Sequence, residues 1–319
     1  MQVLTVTLNP ALDRELIVDD FKINEMRRIR NQKYSKTEPG GKGINVSLIL
    51  SGLGIPSIAM GFLGGFIGAV VERRLRKASD IITSHFCYVD EETRENIAII
   101  DQVNDTITEI NSSGPIIDER SLNMFKRRYE ITLNRVKSVV ISGSVPPGVP
   151  EDYYAILASR AKETGKTIIG ESIGKHFEEA LKAGHYTVAK PDLRSSKELL
   201  GKKLKELDDY VEAAQEIVRY GNKMAIVSYE IEGDIIATEE GVWLMKTKAH
   251  IEQSHLLGTG DSFVAGTTYS LIKNRKELLE AAKIGMAAAV TESRFIGKEF
   301  FTTEDIQSNM NTFEVKRLR

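Results

Sequence analysis

SVVISGSVPPGVPEDYYAILASRAKETGKTIIG, residues 138–170, holds one full turn of the pattern that sets the fold. An apolar, β-branched run at 138–142 stops at Gly143 and the Pro146, Pro147 pair. An amphipathic stretch at 150–164 follows, Gly165 closes it, and a second β-branched run fills 167–170. A helix between two short apolar strands is the unit of a parallel sheet, because parallel neighbours need a crossover. The same strand signal returns at 3–8, 57–62, 187–190 and 224–228, and helical periodicity at 44–53, 121–136, 207–220, 261–273 and 277–292. The expected fold is α/β, a central, mostly parallel sheet flanked by helices, with ligands where strands end in loops. Gly165, Lys166 and Thr167 imitate the end of a P-loop, but position 160 is Arg and a helix precedes them, so they read as a helix C-terminus.

Two stretches break the alternation. Residues 15–21 alternate apolar and polar, and 96–101 with 106–110 predict a hairpin around Asn104 and Asp105. Amphipathic strands inserted between α/β units predict a small separate sheet. A lid over the site is one reading; an edge-strand contact between two copies, giving a homodimer, is the other.

Composition removes several classes of function. A formal charge of −2 gives no basic field for nucleic acid or an anionic membrane. The single cysteine, Cys87, excludes an internal disulfide and a thiolate metal cluster and suits a reducing cytoplasm. His85, His176, His185, His250 and His255 have no metal-ligand spacing. The N-terminus turns polar too early for a signal peptide, and no apolar run reaches membrane-spanning length. The sequons at Asn45, Asn104 and Asn111 therefore read as chance.

Three strings carry chemistry. In LLGTGDSFVAGT, residues 256–267, two glycines flank Thr259 ahead of Asp261 and an amphipathic helix. Backbone N–H groups can converge there on an anion, and Asp261 can take a proton from an alcohol within reach. The plain alternative is a helix cap and a turn. In PGGKGINVS, residues 39–47, glycines allow close backbone approach while Lys42 and Asn45 offer donors. SGSVPPG, residues 142–148, is either a ligand loop or a rigid entry to the next helix.

These strings, with TLNPALD at 7–13, GFLGGFIG at 61–68 and TEIN at 108–111, resemble in this order the PfkB (ribokinase-like) carbohydrate kinases, and within them the 1-phosphofructokinase and tagatose-6-phosphate kinase branch. The resemblance implies a central sheet with a small β lid: a core of 1–12, 38–87 and 112–319, and a lid of 13–37 and 88–111. It implies ATP and Mg2+, with a sugar phosphate as the other small-molecule partner. Asp261 matches the base and Gly258, Thr259 and Gly260 the anion hole. Asp13 matches the residue that holds sugar hydroxyls, Gly40, Gly41, Lys42 and Asn45 match the sugar-phosphate cradle, and Asn111 falls among the substrate-binding residues. Arg28 and Arg94 fall where phosphate-binding arginines of this branch lie. Lys190, Ser228, Gly233, Gly285 and Ala288 resemble the ATP-site wall, and Asp192 and Glu171 the metal-ordering carboxylates.

The chain departs from the family pattern in places. Asp192 and Ser195 stand where the family has Asn and Glu, Glu230 replaces a glycine, His255 and Leu256 a polar pair, Ala98 a lysine, and Glu171 the commoner Asp. The activity implied is phosphorylation of fructose 1-phosphate to fructose 1,6-bisphosphate. Tagatose 6-phosphate is the near alternative, and a non-catalytic sugar-phosphate or nucleotide sensor the more distant one.

Overall fold

A computed structural model of the chain describes residues 2–194, 196–231, 233–274 and 277–319. From the N-terminus run β1 (Val3–Thr7), β2 (Ala11–Ile17), β3 (Ser35–Gly40), α1 (Lys42–Gly52), β4 (Ser57–Gly64), α2 (Gly65–Ala78), β5 (Ile82–Ser84), β6 (Cys87–Val89), β7 (Arg94–Asp101), β8 (Thr106–Asn111) and α3 (Glu119–Leu133). Then come β9 (Ser138–Ser142), α4 (Tyr153–Glu163), β10 (Thr167–Ser172), α5 (Lys175–Lys182), β11 (Val188–Pro191), β12 (Glu198–Leu199), β13 (Lys202–Lys203) and α6 (Leu207–Arg219). The last third holds β14 (Met224–Glu230), β15 (Gly233–Thr238), β16 (Gly241–Thr247), α7 (Thr259–Lys273), α8 (Leu278–Glu292), α9 (Thr303–Asn309) and β17 (Phe313–Arg317).

The central sheet runs β17-β16-β15-β14-β11-β10-β9-β1-β4, with β5 and then β6 paired to successive stretches of β4. From β14 to β5 every pairing is parallel, whereas β14 to β17 form an antiparallel edge that the strand-helix alternation does not announce. Both faces are covered. Phe125, Tyr129, Leu157, Phe177 and Ala214 pack on one, and Val46, Phe263, Val264 and Ala287 on the other. Burial on both sides is why β1 and β9 read as unbroken apolar runs rather than alternating ones.

The expected small sheet is present, in the order β3-β2-β7-β8, with β2 and β7 parallel and β7 and β8 an antiparallel hairpin. Its first strand ends earlier than the alternation at 15–21 predicts. Asp20 turns with φ 53°, and the Asp101 carboxylate accepts the N–H groups of Asp20 (3.0 Å) and Phe21 (2.7 Å), folding the chain off the sheet. Ile17, Ala98 and Ile100 of this sheet pack on Leu257, just ahead of α7.

Strand and helix boundaries otherwise shift by a few residues for local reasons. Helix α4 starts at Tyr153, not 150, because Pro150 to Asp152 form a turn closed by the Tyr153 N–H on the Pro150 carbonyl (3.1 Å). Gly165 lies just past its end with φ 69°, the left-handed stop expected of a helix C-terminus. Among the described residues no helix is long and apolar enough to cross a membrane.

Candidate active site

The carboxyl ends of β1, β9, β10 and β11 open under the small sheet into a cleft of about 420 Å³. This is where the chain, having placed β4 on one side of β1, turns to place β9 on the other, the switch point at which open α/β sheets bind ligands. The floor comes from the core and the wall from the small sheet.

Helix α7 ends in the floor. Gly258 caps it with φ 86°, a conformation that a side chain would strain, and Thr259 already donates its N–H to the Leu256 carbonyl (3.2 Å). Helix geometry leaves the next N–H groups, those of Gly260 and Asp261, for an acceptor outside the helix. Asp261 is 6% exposed and lines the cleft. Its Oδ2 accepts from Asn45 Nδ2 at 2.6 Å, while its Oδ1 is buried without a hydrogen-bond partner.

Lys42 stands among three carboxylates, 3.2 Å from Asp192 Oδ2, 3.3 Å from Glu171 Oε1 and 3.5 Å from Asp261 Oδ1. Burial opposes its charge, but Asp192, Glu171 and Asp261 together hold its ammonium well above the usual lysine range. Conversely, burial pushes the Glu171 carboxyl up, against the pull of Lys42 and Lys190. Burial acts on Asp192 too, yet Lys42 and Arg194 keep it far below the usual carboxylate range. Lys42, which the resemblance assigns to a sugar-phosphate cradle, has its Nζ engaged by the floor carboxylates. Among the described residues no group of three or more side chains forms a metal cage. Ser195 lies outside the described residues.

The wall carries Asp13, Arg94 and Asn111. Asp13 lies so close to the start of the glycine loop that a Cβ on Gly40 would fall 2.1 Å from its Cγ, which is why a glycine is needed there. Its Oδ1 accepts from Asn96 Nδ2 at 2.9 Å and its Oδ2 from Lys298. Arg94 bonds the carbonyls of Asn9 (3.0 Å) and Ser112 (3.0 Å) and borders the cleft. Arg28 is exposed between β2 and β3 and does not line the cleft.

On the far side of the α7 terminus lies a smaller cavity of about 80 Å³, bounded by Lys190, Ser228, Thr259, Gly260, Phe263, Met286 and Ala289. Gly258 and Asp261 face the first cavity and Gly260 the second, so one helix end separates them. Gly233 pairs with Lys246 in the antiparallel edge and does not line this cavity. Nor do Gly285 and Ala288, which are buried between helices: a Cβ on Gly285 would meet Thr267 Oγ1 at 2.3 Å, and Ala288 Cβ packs on Gly266. Those two small residues answer to helix packing.

Two cations of the cleft, Arg194 and Lys298, belong to no string singled out in the sequence. Arg194 clasps Asp192 (3.1 Å) and reaches Glu109 of β8 (3.3 Å), tying floor to wall. The only local signal for it is its place two residues beyond Asp192. Lys298 has none.

A family model described as pfkB family carbohydrate kinase matches residues 9–294. A Thermotoga maritima protein described as a possible 1-phosphofructokinase is 46% identical over the whole of both chains, with a TM-score of 0.97. Escherichia coli phosphofructokinase-2 is more distant. Its complex with fructose-6-phosphate is 26% identical over 97% of this chain and 98% of its own, TM-score 0.81, and its tetrameric inhibited form gives 0.82 at the same identity and coverage. With its ribokinase-like fold and two cavities meeting at the GTGD helix end, the chain belongs to the pfkB family of carbohydrate kinases.

Proposed function

We propose that this sugar kinase phosphorylates a sugar phosphate with ATP, fructose 1-phosphate becoming fructose 1,6-bisphosphate. The observation that carries the reading is Oδ1 of Asp261, buried at a helix N-terminus on the cleft floor with no hydrogen bond, 3.5 Å from the Lys42 ammonium, while Asn45 fixes the other oxygen. A carboxylate so held accepts the proton of a sugar hydroxyl. The hydroxyl oxygen bonds the γ-phosphorus, the bond from that phosphorus to the βγ-bridging oxygen breaks, and ADP leaves. The α7 N-terminus stabilises the negative charge on the phosphoryl oxygens, Asp13 and Asn111 orient the sugar, and Arg94 meets its phosphate.

ATP suits the smaller cavity, where Lys190, Ser228 and Gly260 supply polar groups beside Phe263 and Met286. Magnesium fits an indirect hold. Glu171 Oε2 is buried without a partner, while Lys42 fills the space between the carboxylates, so Glu171 and Asp192 would hold the ion's waters rather than the ion. When bound with nucleotide, the ion neutralises phosphate charge.

Residues 13–37 and 88–111 serve as a lid, and the exposed Ile110 on edge strand β8 suits a contact between two copies. The lone buried Cys87 suits a cytoplasmic setting. The test is initial ADP release with magnesium, ATP and a panel of fructose 1-phosphate, tagatose 6-phosphate, fructose 6-phosphate and fructose. Fructose 1-phosphate should give the highest kcat/KM. A higher value for any other sugar overturns the substrate, and binding without turnover on all four overturns the activity.

A further inference from the structure

Lys298 follows α8 and lies beyond residues 9–294, the stretch matched by the family model. We propose that it is a positioning residue for the acceptor sugar: it crosses from the core to the small sheet and fixes the Asp13 carboxylate in the cleft. The role of Asp13 toward the sugar rests on the function proposed above.

The ammonium of Lys298 is paired with Asp13 Oδ2, with side-chain exposures of 17% and 14%. Asn96 holds the other oxygen, so the carboxylate plane is set from two sides, once by the small sheet and once by the core. Each oxygen keeps a lone pair for a sugar hydroxyl. An aspartate without Lys298 would retain Asn96 alone and could rotate about the free side.

The segment carrying Lys298 is itself held. Ile296 packs in the cluster of Ile17, Ala98, Ile100 and Leu257 that joins the two sheets. The Lys298 N–H points to Glu15 Oε2 at 3.4 Å, and Gly297 passes so near Glu15 that a Cβ there would lie 2.2 Å from the same oxygen. The stem of Lys298 also runs past the cap of α7, its Cγ 3.3 Å from where a Cβ on Gly258 would stand. One side chain thus touches both the turn that ends in Asp261 and the carboxylate on the wall. The spacing between Asp261, the proposed base, and the sugar anchor is set through it. Burial works against its charge, but Asp13 and Glu15 keep the ammonium protonated throughout the working range.

A group that orients the bound sugar changes the KM for that sugar first. The readout is KM for the panel sugar that the parent turns over fastest, together with KM for ATP, in the parent, Lys298→Met, Lys298→Arg, Asp13→Asn and the double variant Asp13→Asn with Lys298→Met. Folding of each is checked by thermal midpoint. Lys298→Met should raise the sugar KM at least about tenfold and leave the ATP KM within about twofold; Lys298→Arg should recover most of the loss. In the Asp13→Asn background the same change should add less than about twofold, since the two residues act as one unit. A sugar KM within twofold of the parent in Lys298→Met, or effects that multiply in the double variant, overturns the inference. Should Lys298→Met fail to fold, the soluble Lys298→Arg decides: a sugar KM as high as that of Asp13→Asn overturns it as well. A fastest sugar other than fructose 1-phosphate removes the proposed substrate while leaving this comparison intact.

Discussion

The floor and the wall of the cleft are built by different means. On the floor, Lys42, Glu171, Asp192 and Asp261 stand near the ends of core elements, buried or nearly so and bound to one another by charge, with Asn45 hydrogen-bonded to Asp261. On the wall, Asp13 and Arg94 sit on strands of the small sheet, Asp13 held by Lys298 and Asn96 and Arg94 by the carbonyls of Asn9 and Ser112. Electrostatic closure makes the floor rigid and costly to disturb. The wall can be retuned one residue at a time, so in the proposed function chemistry falls to the first and sugar choice to the second.

The largest break in that contrast should come from Asp261→Asn, which keeps the shape and removes the proton acceptor. Turnover at saturating ATP and sugar should fall about 10² to 10⁴-fold with KM values little changed. Near-parental kcat would make Asp261 a helix residue and nothing more.

Lys42→Met should show what the floor costs when its cation is gone. Three carboxylates then share the floor with only Arg194 on Asp192 and Lys190 on Glu171 as counter-charges, and the fold should lose about 3 kcal/mol, read from urea unfolding at pH 7. A loss below about 1 kcal/mol would mean that Arg194 and Lys190 suffice.

On the wall, Arg94→Ala should lower kcat/KM for a phosphorylated sugar by about 1.5 to 3 kcal/mol and hardly touch fructose, since only a phosphate meets the guanidinium through charge-assisted bonds. Arg28→Ala, at an exposed charge, should cost less than about 1 kcal/mol with either sugar. Equal losses at the two positions would place Arg28 on the substrate as well.

The smallest effect is a slope. Burial raises the Glu292 carboxyl to about 8 from an ordinary 4.5, against a hydrogen bond from the Glu299 N–H. The folded state therefore keeps a proton that the unfolded chain releases above pH 4.5. Its contribution is complete below that point and is lost as pH rises through 8. Glu292→Gln should flatten this decline and exceed the parent at pH 8 by on the order of 1 kcal/mol, with no advantage near pH 5. Parallel stability curves would show that Glu292 is ionised throughout.

The same contrast explains what could be seen in the sequence. Strand β9 has the bounds its β-branched run predicts, and the GTGD turn announces both the helix and its acid, because those signals are local. Helix α2 hid behind the glycines of 61–68; its buried face, Gly68, Val71 and Leu75, starts with a residue that has no side chain to show periodicity. Lys42 was visible as a cation near a ligand loop. Its partners end β10, follow β11 or lie in the first turn of α7, and only the tertiary fold brings them beside α1. Lys298 depends wholly on such a meeting, as does the reach of Arg194 to Glu109, and no spacing could have marked either.

The parallel pairing of β2 with β7 has a consequence for how the chain folds. Ala11 lies opposite Arg94, so β3, α1, β4 and α2 are all synthesised between the two partners. Closing so long a loop costs entropy before any sheet contact is gained, and the small sheet has little apolar surface of its own to offset it. The core must therefore assemble first and hold the two strands near each other. The last part of the molecule to become ordered in refolding is then the wall, and a half-folded chain already possesses its floor.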